Sequence, residues 1–288
     1  MCGIGGLFSW ELFSPEQKKK VRDITAKMLV ETQKRGADAT GVATINTFTD
    51  GVNYYKKGEK ASLFIGDKNF DKLMLGTDYN LVLIHCRAST KGSPKNPENN
   101  HPIYSKATNS VLIHNGIIYN DVDLAKANDI KQDGEVDSEI ILRMYEKCGI
   151  DKMIKEVAGS MAIALYHKKK QYLYRHNNPL EMGYVKELDV VLFSSDIDYI
   201  KSALSQEEKF YGLFKSRSME YDLASYTLSQ EELMTIKFEK KSIKRREVKA
   251  KEYVLSYKFD KSKDTIQDTL FKGYDKENKG YWGWEGYL

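Results

Sequence analysis

The chain begins Met1-Cys2-Gly3-Ile4-Gly5-Gly6, so loss of Met1 would leave a thiol carrying its own α-amine. A thiolate is the reactive form, and a free thiol with a pKa of about 8.5 is only slightly ionised at neutral pH, so it needs a base. An α-amine titrating near ~7.7–8.0 and within reach of its own side chain is such a base. The chemistry this supports is nucleophilic attack on a carbonyl, and Gly3, Gly5 and Gly6 leave the backbone open where that carbonyl must approach. Taken alone the signal is weak. The same stretch also reads as a flexible terminus or as the lead-in to a strand over Ile4 to Phe8.

Other candidate groups are spread along the chain. Arg87 follows the apolar run Leu81 to Ile84, where its bidentate fork can clamp a carboxylate or can simply end a strand at the surface. Asp137 precedes a helical pattern and reads by default as an N-cap worth about 1 kcal/mol. Asn115-Gly116, between Ile113-His114 and Ile117-Ile118, is locally the signature of a type I′ hairpin turn. Cys2, Cys86 and Cys148 have neither metal-ligand spacing nor the even number of a disulfide framework. They are expected to be reduced, with Cys86 and Cys148 as buried small apolar residues.

These groups need elements to position them. Val21, Ile24, Met28 and Leu29 recur at helical spacing, which predicts a helix over Glu16 to Gln33. Leu81 to Ile84, Val111 to Ile113, Met161 to Leu165 and Val190 to Phe193 are short, almost wholly apolar runs. Such runs suit strands buried on both faces. Ile140, Ile141, Met144, Tyr145 and Cys148 mark one face of a helix opening near Asp137, and a short helix is expected from Asp196 to Leu204. Strands buried on both faces require layers above and below them, so sheets sandwiched with helices are expected.

The chain has 288 residues, 41% hydrophobic and 30% charged, which suits a globular fold and excludes collagen-like or disordered classes. No run reaches the ~18–20 apolar residues of a spanning helix, and the start lacks the basic and apolar regions of a secretory signal. No membrane association and a cytoplasmic location are therefore expected. Net charge is only +4. The cations concentrate between Lys237 and Lys251, a stretch that reads as a solvated strand and loop, with an acidic partner or nucleic acid as the weaker reading.

Five motifs follow the opening Cys-Gly-Ile-Gly-Gly in order: Arg35-Gly36-Ala37-Asp38-Ala39-Thr40-Gly41, His85-Cys86-Arg87-Ala88-Ser89-Thr90-Lys91-Gly92, Asn99-Asn100-His101-Pro102, His114-Asn115-Gly116-Ile117-Ile118-Tyr119-Asn120 and Val136-Asp137-Ser138-Glu139. This succession resembles the glutaminase domain of class II glutamine amidotransferases, most of all the branch that includes glucosamine-6-phosphate synthase. Gly159 to Ala164, Phe193 to Ile197 and Glu232 to Ile236 resemble its closing strands and last hairpin, so the likeness covers residues 2 to about 245.

The resemblance implies an α+β, N-terminal-nucleophile (Ntn) hydrolase fold, a four-layer αββα sandwich with two mainly antiparallel sheets. A domain over residues 2–250 is expected, with a C-terminal extension over 251–288 that is no separate domain, because the tail from Tyr257 loses apolar periodicity. The resemblance also implies hydrolysis of the L-glutamine side-chain amide through a γ-glutamyl thioester, with no cofactor and no metal. Cys2 would be the nucleophile, and the Asn115 amide and Gly116 N–H the oxyanion donors. Arg87 would hold the α-carboxylate and Asp137 the α-ammonium, with Thr90 and His101 as further substrate contacts. His85 and His114 are expected to be structural. Ala88 and Lys91 stand where the glucosamine-6-phosphate synthase pattern has Trp and His, in the loop that covers glutamine, which puts affinity and substrate preference in question.

Family members pass ammonia to an acceptor domain, and the residues after 245 are too few for one. A separate ammonia-accepting synthase subunit is the expected partner. Alternatives are a free-standing amidohydrolase acting on another γ-glutamyl or small amide, and a non-catalytic module that engages a partner or nucleic acid. The aromatic tail, Tyr281, Trp282, Trp284 and Tyr287, could anchor such a partner.

Overall fold

The computed structural model describes residues 2–205 and 223–251, together with the backbone of strands at 208–210, 213–215, 274–275 and 280–281. Met1 and the side chains of the aromatic tail lie outside the described residues. The chain divides into two compact units, Met1–Glu252 and Tyr253–Leu288.

In the first unit, strand β1 (Gly3–Phe8) leads to helix α1 (Pro15–Thr32). Ser14 and Gln17 form a reciprocal capping box at the start of α1, with Ser14 Oγ accepting the Gln17 N–H at 3.3 Å and Gln17 Oε1 accepting the Ser14 N–H at 2.9 Å. Val21, Ile24, Met28 and Leu29 are buried, as their spacing predicts. Next come β2 (Ala39–Asn46), β3 (Gly51–Lys57), α2 (Ala61–Phe64), α3 (Lys68–Gly76) and β4 (Leu81–Arg87). A long loop then carries β5 (Ile103–Ser105) before β6 (Ser110–Ile118), α4 (Asp121–Asn128) and α5 (Glu139–Glu156). The order continues through β7 (Gly159–His167), β8 (Lys170–His176), β9 (Glu181–Val185), β10 (Val190–Ser194) and α6 (Ile197–Leu204). Strands β11 (Glu208–Phe210), β12 (Leu213–Lys215), β13 (Leu223–Thr227), β14 (Glu232–Lys237) and β15 (Ser242–Glu247) complete this unit. In the second unit, β16 (Tyr274–Asp275) pairs antiparallel with β17 (Gly280–Tyr281).

Among the described residues the main strands form a seven-stranded sheet, β13-β9-β10-β1-β4-β2-β3, and a six-stranded sheet, β15-β14-β8-β7-β6-β5. Neighbouring strands pair antiparallel throughout both sheets. Three buried clusters define four layers. Ile4, Phe8, Leu81 and Leu83 of the first sheet meet Val111, Ile113, Ala162 and Ala164 of the second between the two sheets. Leu7, Val82, Ile84 and Cys86 pack outward against α1, α3 and α6. Leu112, Ile163 and Leu165 pack outward against α5. This is the expected αββα sandwich, and each expected strand lies within it.

Local expectations fail at Asn115-Gly116 and at Cys148. Asn115-Gly116 makes no hairpin turn, because β6 runs through both residues and pairs continuously with β7, Asn115 opposite Ala162 and Gly116 opposite Met161. Cross-strand pairing with a distant segment, β7, outweighs the local turn preference. Cys148 is half-buried rather than core, because α5 breaks at Gly149 with φ +79° just beyond it. The cationic strand β15 is an exposed sheet edge, which suits the solvated reading.

Candidate active site

Alternation along three strands aims candidate groups into the space between the sheets. On β1, Ile4 and Phe8 face that space and Leu7 faces outward, so Cys2 falls on the inner row. On β4, His85 and Arg87 continue the inner row of Leu81 and Leu83. On β6, Asn115 follows Val111 and Ile113. Gly3 pairs with Cys86, which sets Cys2 beside the Arg87–Ala88 segment. His85 Nε2 lies 3.1 Å from the His114 carbonyl, so the two sheets are joined at this end.

The half-buried Cys2 thiol donates to the Ala88 carbonyl at 3.6 Å, and the Cys2 carbonyl accepts from Arg35 Nε at 3.0 Å. Burial pushes the thiol above its ordinary range; the Arg87 guanidinium pulls against this and the nearby Asp137 carboxylate adds to it. Arg87, Asp137 and Cys2 therefore share one electrostatic neighbourhood. The thiol is not pre-ionised by its surroundings and still needs a base.

Arg87 is buried, which excludes an ordinary surface arginine. Its Nη1 donates to Asn100 Oδ1 at 2.9 Å, and its Nη2 donates to the Gly92 carbonyl at 2.9 Å and to the Lys91 carbonyl. The loop over residues 88–92 thus folds around the guanidinium. Asp38 fixes its start by donating its N–H to the Arg87 carbonyl at 2.9 Å and accepting the Ser89 N–H at 2.7 Å. Gly36 is required there because a Cβ would lie 2.4 Å from Ala88 N. Lys91 crosses to Asp121 at the start of α4, with Nζ to carboxylate oxygen 2.7 Å, and Thr90 is exposed between these anchors.

Asn115 is fully buried, yet neither its Nδ2 nor its Oδ1 has a hydrogen-bond partner among the described residues. Such groups are rare and costly, which points to a role the resting structure does not fulfil. Its backbone carbonyl accepts from Asn178 Nδ2 at 3.3 Å. Gly116 has φ +155°, and a Cβ there would lie 1.9 Å from the Ser160 carbonyl oxygen and 2.6 Å from His114 Nε2. No other residue fits this strand position.

Asp137 does not cap α5. Ser138 precedes the first helical residue, and the Asp137 carboxylate instead accepts the Ile118 N–H at 2.6 Å and Ser138 Oγ at 3.5 Å. The long connection after α4 folds back onto β6, and the β-strand N–H competes successfully for the carboxylate.

His101 is buried, joined to Pro102 by a cis peptide, and stacked on His85 with ring centroids 4.1 Å apart. Both its ring nitrogens lack hydrogen-bond partners among the described residues. Burial holds His101 well below the usual histidine range and lowers His85 to about 3. His114 is also lowered by burial, while its Nδ1 lies 2.8 Å from Ser138 Oγ. All three are thus favoured in the neutral form.

Sequence reading missed the supporting residues Arg35, Gly36, Asp38, Asn100 and Asn178. Arg35-Gly36-Ala37-Asp38 was legible as a motif, but its contacts with Cys2 and the 88–92 loop depend on tertiary geometry. Among the described residues no cluster of three or more His, Cys, Asp or Glu could hold a metal ion, and no helix is long and apolar enough to cross a membrane.

Comparison with known proteins gives this geometry a family. Residues 85–202 match the family described as a glutamine amidotransferase domain, a span that includes Arg87, Asn115, Gly116 and Asp137. The glutamine--fructose-6-phosphate aminotransferase of Staphylococcus epidermidis is 29% identical over 206 residues, covering 66% of this chain and 32% of that protein. The 7-cyano-7-deazaguanine synthase of Saccharolobus solfataricus is 26% identical over 216 residues, covering 69% and 44% respectively. This chain spans about a third of the length of the first of these relatives. Glutamine phosphoribosylpyrophosphate amidotransferase from B. subtilis shares the fold, with a TM-score of 0.64 and 14% identity over 86% of this chain and 49% of that one. The chain therefore contains a class II glutamine amidotransferase domain with the Ntn-hydrolase fold, similar to that of glutamine--fructose-6-phosphate aminotransferase.

Proposed function

We propose that this protein hydrolyses the side-chain amide of L-glutamine and delivers the ammonia to a separate acceptor enzyme. The observation that carries this reading is that Cys2 and the fully buried Asn115, whose side-chain amide has no hydrogen-bond partner among the described residues, both fall on the inward-facing rows of the two sheets.

After removal of Met1, the α-amine takes the Cys2 proton as Sγ attacks the amide carbon. The carbonyl electrons move to oxygen, where Asn115 Nδ2 and the Gly116 N–H stabilise the developing charge. Collapse of this intermediate breaks the C–N bond, and the α-ammonium returns its proton to the leaving nitrogen, releasing ammonia. Water activated by the same amine then attacks the thioester, yielding glutamate and the free thiol. The raised thiol pKa makes the dedicated base necessary. Arg87 and Asp137, opposite charges beside the thiol, suit the α-carboxylate and α-ammonium of one amino acid. Thr90 and His101 complete the substrate contacts.

Support for a partner comes from the relatives, whose names include synthase or aminotransferase activities and whose chains continue well beyond the matched region. Residues 2–250 form the glutaminase domain and 251–288 its extension. The free thiols suit a cytoplasmic location. Glutamate release from glutamine by wild type and by Cys2→Ala, with and without candidate acceptor enzymes, tests the reading. Activity in the wild type alone supports it; equal inactivity under every condition contradicts it.

A further inference from the structure

The six-stranded sheet carries another feature at the end remote from Asn115. Strand β6 begins there at Ser110, five residues from Asn115 or about 17 Å of extended chain. A cavity of about 470 Å³ opens at this end, lined in part by Tyr145, Glu146, Gly149, His167, Lys168 and Tyr172. Its volume lies within the ~300–1,000 Å³ range of small-molecule sites.

One wall is aromatic. The Tyr145 ring lies 5.6 Å from His167 and 5.8 Å from Tyr172, centroid to centroid, and the Tyr145 hydroxyl is held 2.8 Å from His167 Nδ1. Helix α5 breaks beside this wall at Gly149, where a Cβ would meet nothing within 4 Å. The break leaves space that no side chain fills.

Lys168 places a cation on the cavity lining, and further lysines follow along the same end of the sheet. The β7–β8 hairpin turns through Lys168 and Lys169, Lys170 lies in a strand next to Lys237, and Lys240 and Lys241 turn into β15. The Phe238 N–H donates to the Lys169 carbonyl at 3.0 Å, so the two turns form one surface. Glu239 pairs with Lys169 at 3.2 Å and Glu11 pairs with Lys241, which leaves the lysines in excess. Inside the cavity, Glu146 is engaged by Thr108 and Arg143.

Two features of this lysine-rich edge oppose folding. Lys170 and Lys237 are directly paired like charges. Lys168 and Lys169 adopt φ +47° and +58° in a turn whose ordinary occupants are Asn and Gly. Local strain of this kind is retained where surrounding structure enforces it and clusters at functional sites.

We propose that this cavity binds a nucleoside phosphate, its heteroaromatic base on the Tyr145–His167–Tyr172 wall and its phosphate on Lys168 and Lys169. Aromatic faces accept any base by stacking, and lysine ammoniums act as point charges for phosphate. The site is independent of the glutamine reaction.

The test is calorimetric titration of the full chain with AMP, GMP, CMP, UMP and the matching nucleosides. Lys168→Gly combined with Lys169→Gly removes both charges while retaining a residue suited to positive φ, and Tyr172→Leu removes one ring while keeping bulk. Saturable binding of at least one mononucleotide is expected, with affinity at least about tenfold weaker for its nucleoside and in each variant. The proposal is overturned if no mononucleotide binds at about 1 mM. It is also overturned if Tyr172→Leu binds as tightly as wild type while melting normally, or if only oligonucleotides bind.

Discussion

The carboxylate of Asp137 accepts the backbone N–H of Ile118 at 2.6 Å, which fastens the entry to α5 onto β6 two residues beyond Gly116. One side chain thus supports the strand bearing the proposed oxyanion donors and supplies negative charge near Cys2. Asp137→Asn can keep the hydrogen bond through its amide oxygen but loses the charge. We expect its KM for glutamine to rise at least tenfold, with little change in Tm. Asp137→Ala loses both and should also be destabilised by about 1.5–3 kcal/mol, the scale of a hydrogen bond to a charged group. Steady-state kinetics beside thermal melts separate the two effects.

Asn115 gives a trade between stability and activity. Its buried amide lacks a partner among the described residues, and an unsatisfied buried polar group costs about 1–3 kcal/mol. Asn115→Leu should match or exceed wild-type stability while kcat falls about 100- to 1,000-fold, the scale of one lost oxyanion donor. A large loss of Tm with normal kcat would contradict the assignment.

The ion pair between Lys91 and Asp121 holds the 88–92 loop against α4, but Lys91 is half exposed. Such pairs contribute about 0.2–1 kcal/mol. Lys91→Ala should therefore raise KM less than about fivefold. Added salt should narrow the difference from wild type, because it screens the pair in the native protein. A large fall in kcat would instead mean that Lys91 acts at the reacting atoms.

The buried histidines set the acid limit of the fold. Burial lowers His85 to about 3, and His101 and His114 also lie below their ordinary value. A histidine whose folded pKa is depressed stabilises the fold above its unfolded pKa of about 6.5, and loses that contribution as pH falls toward the folded value. Each group can cost up to about 1.4 kcal/mol per pH unit in that window. The His85–His101 stack opposes charging both rings. Melting temperature should fall steeply between about pH 6 and pH 4. Equal melting temperatures at both ends would contradict a neutral histidine cluster.

Much of this architecture is legible in the sequence. The helical spacing from Val21 to Leu29 and the apolar runs at Leu81, Val111, Met161 and Val190 mark elements buried by their own side chains, so local pattern and tertiary outcome agree. Asn115-Gly116 and Asp137 misled because each has a strong local preference that a distant segment overrides: β7 pairs across the dipeptide and the Ile118 N–H takes the carboxylate. The burial of Arg87 and its links to Asn100 and Gly92 were also invisible, since they depend on how a loop closes rather than on spacing.

Cys2 acts as the N-terminal nucleophile in the proposed reaction. Mass spectrometry of the protein before and after treatment with an electrophilic glutamine analogue tests it most directly. The expected result is a mature chain beginning at Cys2 and one stoichiometric γ-glutamyl-type adduct on that residue, prevented by excess glutamine. Retention of Met1 together with no adduct, or labelling confined to Cys86 or Cys148, would contradict it.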